Sequence, residues 1–342
     1  MKKTMRIVLS LAMVLLMLLS LAACGESAPE PQQSEESTVE QEVPKVDFPV
    51  KNIDMVVPWG AGGGVDVTAR VFAPYFEKYL GKNVVIQNVT GGGGSVALTQ
   101  VVNATPDGYT CVMSASPMSN HKYTVDGVTY DYSNFKAIGM VTYDPLLLIV
   151  KTGGKFDTSW DEIVSYAEEN PGKILYAVGS LMGSHDIARV QLEQATGLSF
   201  QKVAFSDGGG DTVTNLLGGH VDMGTAYYSE CASQLEDGSL KAIWVAYGER
   251  SAYAPDVPTL KELGTDIELG TWRGVLVPAG TPDEVVAILR DAYEKTIADP
   301  EFLKALDAAG NAAIFKSADE FYEMMKEESV SLKEVCELLT AD

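Results

Sequence analysis

The sequence predicts an α/β protein of two lobes, with mostly parallel sheets and a ligand cleft between the lobes. Three observations lead there. Short apolar segments of strand character alternate with amphipathic helical stretches, glycine clusters stand between a strand and the following helix, and about 295 residues remain beyond the N-terminal leader and tether, too many for one compact layer.

The elements follow in order. Residues 53–58 read as a buried strand, followed by a glycine loop from Gly60 to Gly64 and a helix over 66–80. Residues 84–86 open a second strand, followed by a glycine loop from Gly91 to Gly94 and a helix over 95–103. Further strands are expected at 110–114, 146–150, 174–178, 201–205, 223–226, 242–247 and 274–277, and helices at 160–169, 187–196, 212–217, 282–298, 301–309 and 318–339. The strands at 146–150 and 274–277 read as crossovers. One lobe is therefore expected to combine 48–148 with 275–342, and the other to span 149–274.

Ahead of this body, Lys2, Lys3 and Arg6 precede an apolar run over 7–23 that only Ser10 and Ser20 interrupt, the pattern of a signal peptide over 1–23. The run is short for a membrane span and ends in Leu21, Ala22, Ala23 and Cys24. This resembles the lipobox of bacterial lipoproteins, in which small residues suit the signal peptidase and the Cys24 thiol takes the lipid. Residues 24–47, rich in Glu, Ser, Gln and Pro, are expected to form a disordered acidic tether. No second run is long enough to span a bilayer. The expected location is extracytoplasmic, lipid-anchored to the bacterial cell membrane.

The 47 acidic residues outnumber the 25 basic ones, for a formal net charge of −22, which argues against nucleic acid as a partner. An acidic chain that holds an anion must oppose its own field locally, and backbone N–H groups are the obvious donors. Lipidation of Cys24 would leave Cys111, Cys231 and Cys336, so at most one disulfide forms. These cysteines lack metal-ligand spacing and the chain has only three histidines (His121, His185 and His220), so neither a metal nor a cofactor is expected.

The glycine loops can supply the donors. In Trp59, Gly60, Ala61, Gly62, Gly63, Gly64, Val65 and Asp66 a strand ends, glycines turn the backbone and a helix begins. Glycine permits positive φ, so successive N–H groups can point inward, and the helix N-terminus adds partial positive charge. Asp66 is open to two readings, helix N-cap or ligand contact. The second loop, Gly91, Gly92, Gly93, Gly94 and Ser95, repeats the arrangement, and the two together could converge on one carboxylate. Neither ends in the glycine-lysine-serine/threonine of a P-loop, which demotes nucleotide binding.

The second lobe offers Ser180, Gly183, Ser184 and His185 between one strand and helix, and Phe205, Asp207 and Gly208 between the next pair. His185 is open to three readings: ligand donor, exposed residue at a helix start, or catalytic base. Ser184 beside His185 is no catalytic dyad without converging geometry and a third, orienting group. Trp59 and Trp272 either line the cleft or pack core and hinge. Arg70, Arg189 and Arg273 could face a second carboxylate, with surface ion pairs the commoner fate for the first two.

With these residues in hand, the chain resembles the tripartite tricarboxylate transporter substrate-binding proteins, the Bug or TctC receptors, here in lipoprotein form. The resemblance runs from Val57, Pro58 and Trp59 through Gly62–Gly64, Asp66, Ala69 and Arg70, the loop at 91–94, and Pro106–Thr110. It continues through Asn170–Lys173, Leu216–Asp222, Asp256–Leu260 and Pro278–Pro282. It implies a periplasmic-binding-protein fold of type II, closing on its ligand by hinge motion, in which both glycine loops hold one ligand carboxylate and Ser116 faces the cleft. It further implies a monomer, not an enzyme, that captures a mono-, di- or tricarboxylate or an amino acid and presents it to membrane permease subunits. Three departures stand out. Val65 occupies a position often held by threonine, Asp186 aligns with the usual histidine, and Ala204–Gly208 replaces a lysine-containing block. Asp207 then either favours an amine on the ligand or caps the next helix. The alternatives are a ligand-sensing receptor subunit for a signalling partner and an exported hydrolase using Ser184 and His185, which lacks a nucleophile-elbow motif.

Overall fold

The computed structural model describes residues 46–179, 182–205 and 209–341. The leader, the tether with Cys24, and Ser180, Asp207 and Gly208 lie outside the described residues. Nine strands form one sheet: β1 (Ile53–Val57), β2 (Val84–Asn88), β3 (Thr110–Ala115), β4 (Phe135–Lys151), β5 (Leu175–Val178), β6 (Gln201–Ala204), β7 (Met223–Tyr227), β8 (Leu240–Val245) and β9 (Gly270–Pro278). Their order is β2-β1-β3-β9-β4-β7-β5-β6, with β8 also paired to β4. Between them run α1 (Gly64–Leu80), α2 (Ser95–Val102), α3 (Pro117–Thr124), α4 (Trp160–Glu169), α5 (Ser184–Thr196), α6 (Gly209–Gly218) and α7 (Tyr228–Glu236), and after β9 come α8 (Asp283–Ile297), α9 (Pro300–Ala308) and α10 (Ala318–Ala341).

The sheet is mixed. Pairs β1–β2, β1–β3, β5–β6 and β5–β7 are parallel, as a strand-helix alternation requires, and every antiparallel pair among the described residues involves β4 or β9. The expectation of mostly parallel sheets therefore needs correcting at these two strands. They run opposite ways through the middle of the sheet, so each meets its neighbours antiparallel.

β4 is far longer than the expected 146–150. Lys136, Gly139, Thr142, Asp144 and Pro145 break its apolar pattern, and two register shifts against β9 accommodate them. Its partners change at Pro145: residues 135–145 pair with β9, and 146–151 with β7 and β8. A proline, which cannot donate to a ladder, is tolerated where one ladder hands over to the next.

Alternation along the strands separates the cores. Ile53, Met55 and Val57 join Phe72, Phe76, Tyr293 and Phe302 under α1, α8 and α9, whereas Val56 joins Leu98, Met118 and Phe321 under α2, α3 and α10. Beyond Pro145 the same split recurs: Leu146, Leu148 and Val150 pack with Trp160, Tyr176 and Trp244, and Leu147 and Ile149 with Val213, Leu216 and Cys231. α1 illustrates why the helices form. Val65, Ala69, Phe72, Ala73, Phe76 and Leu80 make one buried stripe, and Gly81 closes the helix at φ 71°, its N–H donating to the Glu77 carbonyl. α3 was not legible in the sequence because it buries Ser119, Asn120 and His121 instead of an apolar stripe. Cys111, Cys231 and Cys336 are buried free thiols.

α10 ties the two ends of the fold together. Its first turns pack Phe321 and Met325 beside Trp272, and its last pack Leu332, Val335, Cys336 and Leu339 against Ile187 and Val190 of α5. Between them Glu328 accepts hydrogen bonds from the Trp272 indole N–H (2.7 Å) and the Ser119 hydroxyl (2.6 Å), both at Oε2. Burial pushes its carboxyl up to about 7, against the pull of those two donors. A raised folded-state pKa contributes stability below the unfolded value that is lost as pH rises through the folded one. Glu328→Gln, whose amide oxygen can keep both bonds, is therefore expected to gain stability relative to the parent between pH 5 and pH 8. Thermal melts at the two pH values check this; a gain independent of pH would contradict it.

Candidate functional site

Several helix N-termini meet around one buried guanidinium. Arg273 of β9 is 6 % exposed. Its Nη1 donates to Asn311 Oδ1 (2.6 Å) and, at 3.5 Å, to the Thr68 hydroxyl of α1, while Nη2 donates to Asp144 Oδ2 of β4 (3.4 Å). Its Nε–H is buried with no hydrogen-bond partner among the described residues. The guanidinium lies against the start of α1, where a Cβ built on Gly64 would come within 2.8 Å of Nη2. Gly64 thus admits a cation that any side chain would displace.

Two carboxylates share this cation. Burial pushes the Asp144 carboxyl up to about 6; Arg273 opposes the rise and Glu230 adds to it. Burial also raises Glu230, whose carboxylate accepts N–H bonds from Tyr227 (2.9 Å) and Gly209 (3.1 Å) and so sits at the N-termini of α7 and α6. His185, at the start of α5, is buried between the Thr225 hydroxyl (3.2 Å to Nδ1) and Glu230 (4.0 Å to Nε2), with its ring against Tyr227. Burial lowers it to about 4, so it is neutral at pH 7. The Tyr227 hydroxyl donates to Ser184 Oγ (2.9 Å). No hydrogen bond joins Ser184 to His185 among the described residues, so the two do not form a nucleophile-base pair.

The two glycine loops come together at Gly94 and Trp59, and the first touches this cluster at Gly64. Gly91, Gly92, Gly93 and Gly94 all have positive φ, from 54° to 131°, a run that L side chains resist. Gly94 packs so closely on Pro58 and Trp59 that a Cβ there would lie 3.1 Å from each. Ser95 is buried and is the first residue of α2. Gly60, Ala61, Gly62, Gly63 and Gly64 form the exposed turn into α1, whose N-cap position is Gly63. Asp66 is therefore not the N-cap. It is buried in the first turn and accepts from the Gly62 N–H (2.8 Å), Asn88 (2.9 Å) and Arg70 (2.8 Å), which holds the loop in shape. Burial alone would raise its carboxyl, but these donors outweigh it and hold it down to about 2. His121 of α3 bonds the Gly93 backbone and the Tyr130 hydroxyl (2.7 Å).

Other expected residues serve the frame. Ser116 Oγ accepts from the Trp272 N–H (3.0 Å) and donates to Thr271 (3.0 Å), and the Trp272 ring is buried on Phe321, so both belong to β9 packing. Trp59 is half-buried against the α1 core. Gly183 takes the N-cap position of α5, and half-buried Phe205 packs beside the Val213 cluster. Arg70 pairs with Asp66 at the surface, and Arg189 is buried against Asp186 and Glu193. Sequence reasoning missed Asp144, Glu230, Tyr227, Thr68 and Asn311. For Asp144 a signal existed, a lone carboxylate in an otherwise apolar stretch.

An α/β fold with this cluster of helix N-termini is that of periplasmic solute-binding proteins, and residues 68–340 match the tripartite tricarboxylate transporter family receptor, TctC. The chain belongs to that family. It is 32 % identical to the UPF0065 protein in the gbd 5' region of Cupriavidus necator, over 76 % of this chain and 78 % of that one. Among solved structures it is similar to a TctC solute-binding protein from Polaromonas (28 % identity, TM-score 0.76, 84 % of this chain and 98 % of that one). It is also similar to MatC from Rhodopseudomonas palustris with bound malate (26 % identity, TM-score 0.67, 84 % and 100 %). Among the described residues no helix is long and apolar enough to cross a membrane.

Arg273→Met would leave Asp144 buried without its counter-charge, a loss of about 3–5 kcal/mol where the carboxylate is ionised. Protonation relieves it, so the loss should be large at pH 7.5 and small at pH 5, as denaturant unfolding at the two pH values would show. Equal losses would mean that Asp144 does not depend on Arg273.

Proposed function

We propose that this protein captures a small organic carboxylate outside the cytoplasm and presents it to the membrane subunits of a tripartite transporter. One observation carries the reading: two glycine loops, each leading into a helix N-terminus, meet where Gly94 packs on Trp59, and the first of them lies against a buried arginine at Gly64. Backbone N–H groups there offer an acidic protein the donors an anion needs. The malate bound to MatC supports a carboxylate as the ligand class.

In this reading the protein has two lobes, 48–148 with 275–342 and 149–274, whose boundary falls near the change of partners at Pro145, and the site lies between them. Their closure around the ligand is what the membrane subunits recognise. Cross-half contacts support it: Asn120 donates to the Met182 carbonyl (3.3 Å), and the Tyr253 hydroxyl to Asp307 (3.0 Å) and the Asn311 carbonyl (3.1 Å). A lipid on Cys24 would tether a monomer at the membrane through residues 24–47. In this reading the protein is a receptor, and Ser184 and His185 bond Tyr227 and Thr225 instead of each other.

A second reading is favoured by Asp144 and Glu230, which outnumber the one guanidinium between them: a ligand carrying an ammonium group as well, such as an amino acid. A thermal-shift screen of the purified protein against mono-, di- and tricarboxylates and amino acids tests both. A ligand at 100 times its Kd adds about 2.7 kcal/mol. A response to neutral compounds but to no carboxylate would end the proposal. Gly63→Val is a companion test. Gly63 has ordinary extended backbone (φ −71°, ψ 163°), and a Cβ there meets only the Gly60 carbonyl, at 3.2 Å. The variant is expected to fold and lose ligand binding; unchanged affinity would remove the first loop from the site.

A further inference from the structure

Away from both glycine loops, a cavity of about 300 Å³ lies between α3, α5, α10 and the crossover strands β4 and β9. Trp272, Ile187 and Leu332 give it apolar walls. Glu268, Glu327 and Glu328 also line it, and no Lys, Arg or His does. Glu268 and Glu327 are exposed, and Glu328 is the deeper carboxylate bonded to Ser119 and the Trp272 indole. Tyr143 adds a second, independent sign. It lines the cavity, is only 8 % exposed, and feels the charges of both Glu268 and Glu328, yet its hydroxyl has no hydrogen-bond partner among the described residues. A hydroxyl that lines a cavity without a protein partner is satisfied by what fills the cavity.

We propose that this cavity is a second binding site, for a small organic ammonium ion whose charge faces Glu268, Glu327 and Glu328 and whose hydrocarbon body lies on Trp272 and Leu332. The acids define the charge of the occupant. A buried Glu328 carboxyl held near neutrality lacks a counter-ion, and an ammonium group supplies one together with a donor for Tyr143. The walls define its body. A bare metal ion does not fit the arrangement, because among the described residues no three His, Cys, Asp or Glu side chains are grouped to hold one. An ammonium ion stacked on an indole face gains further from the ring quadrupole.

The cavity shares Ser184 with the cluster around Tyr227 but no residue of either glycine loop, so its test uses no carboxylate. The probe is 1,5-diaminopentane, titrated calorimetrically into the purified protein at fixed ionic strength. One saturable site is expected. The double variant Glu268→Gln/Glu327→Gln should weaken it about tenfold, the scale of two partly exposed ion pairs, and Ser331→Phe, which crowds the lining, should weaken it as much or more. Asp161→Asn/Glu162→Gln changes the net charge equally on exposed residues of α4 and should leave affinity unchanged. Weakening by the α4 pair equal to that by the cavity pair would overturn the proposal, since the diamine would then be reading only the acidic surface. So would unaltered binding in both cavity variants, or equally tight binding of the uncharged 1-pentanol.

Discussion

The site is organised by the burial of one positive charge. A guanidinium this deep is costly to desolvate, and it persists only where its charge and several of its donors are met. Asn311 and Thr68 take one edge of Arg273, Asp144 takes another, and Gly64 leaves the space it occupies. Those partners come from α1, from β4 and from the segment after α9, so a single side chain of β9 fixes their mutual positions. The glycine at the start of α1 therefore has two consequences, an open helix N-terminus and room for the cation behind it.

Charge of the opposite sign is handled by the same local means. Asp66 is buried but surrounded by donors, and it stays ionised while shaping the first glycine loop. Asp144 has one long contact to a shared arginine, and burial prevails. Glu230 lies between these cases, with two backbone N–H bonds at the starts of α6 and α7. The number of donors, and not burial alone, decides which of these carboxylates is held low and which is raised.

The middle of the sheet follows the same rule. β4 and β9 pass through the middle of the sheet, and their side chains on one face meet α10. Trp272 is fixed by hydrogen bonds at both its backbone and its indole, through Ser116 and Glu328. Around this fixed ring the packing is incomplete, and the resulting cavity collects carboxylates without a basic residue.

Apart from α3 and α7, the order of strands and helices was legible in the sequence, because most elements carry their own apolar stripe or alternation, and that pattern is local. The glycine loops were legible for the same reason: clustered glycine after a strand and before a helix has few uses. What the sequence could not decide was which polar residues would meet. Asp144, Glu230, Arg273 and Asn311 are far apart in the chain, and only the pairing of β9 with β4 and the convergence of helix N-termini bring them to one place. Ser116 and Trp272 are held by hydrogen bonds whose partners lie on strands and helices that only the fold places beside them. Sequence by itself determined the alternation and the loops; tertiary structure decided the electrostatics, since charge interactions depend on distance and burial, and neither is written in local pattern.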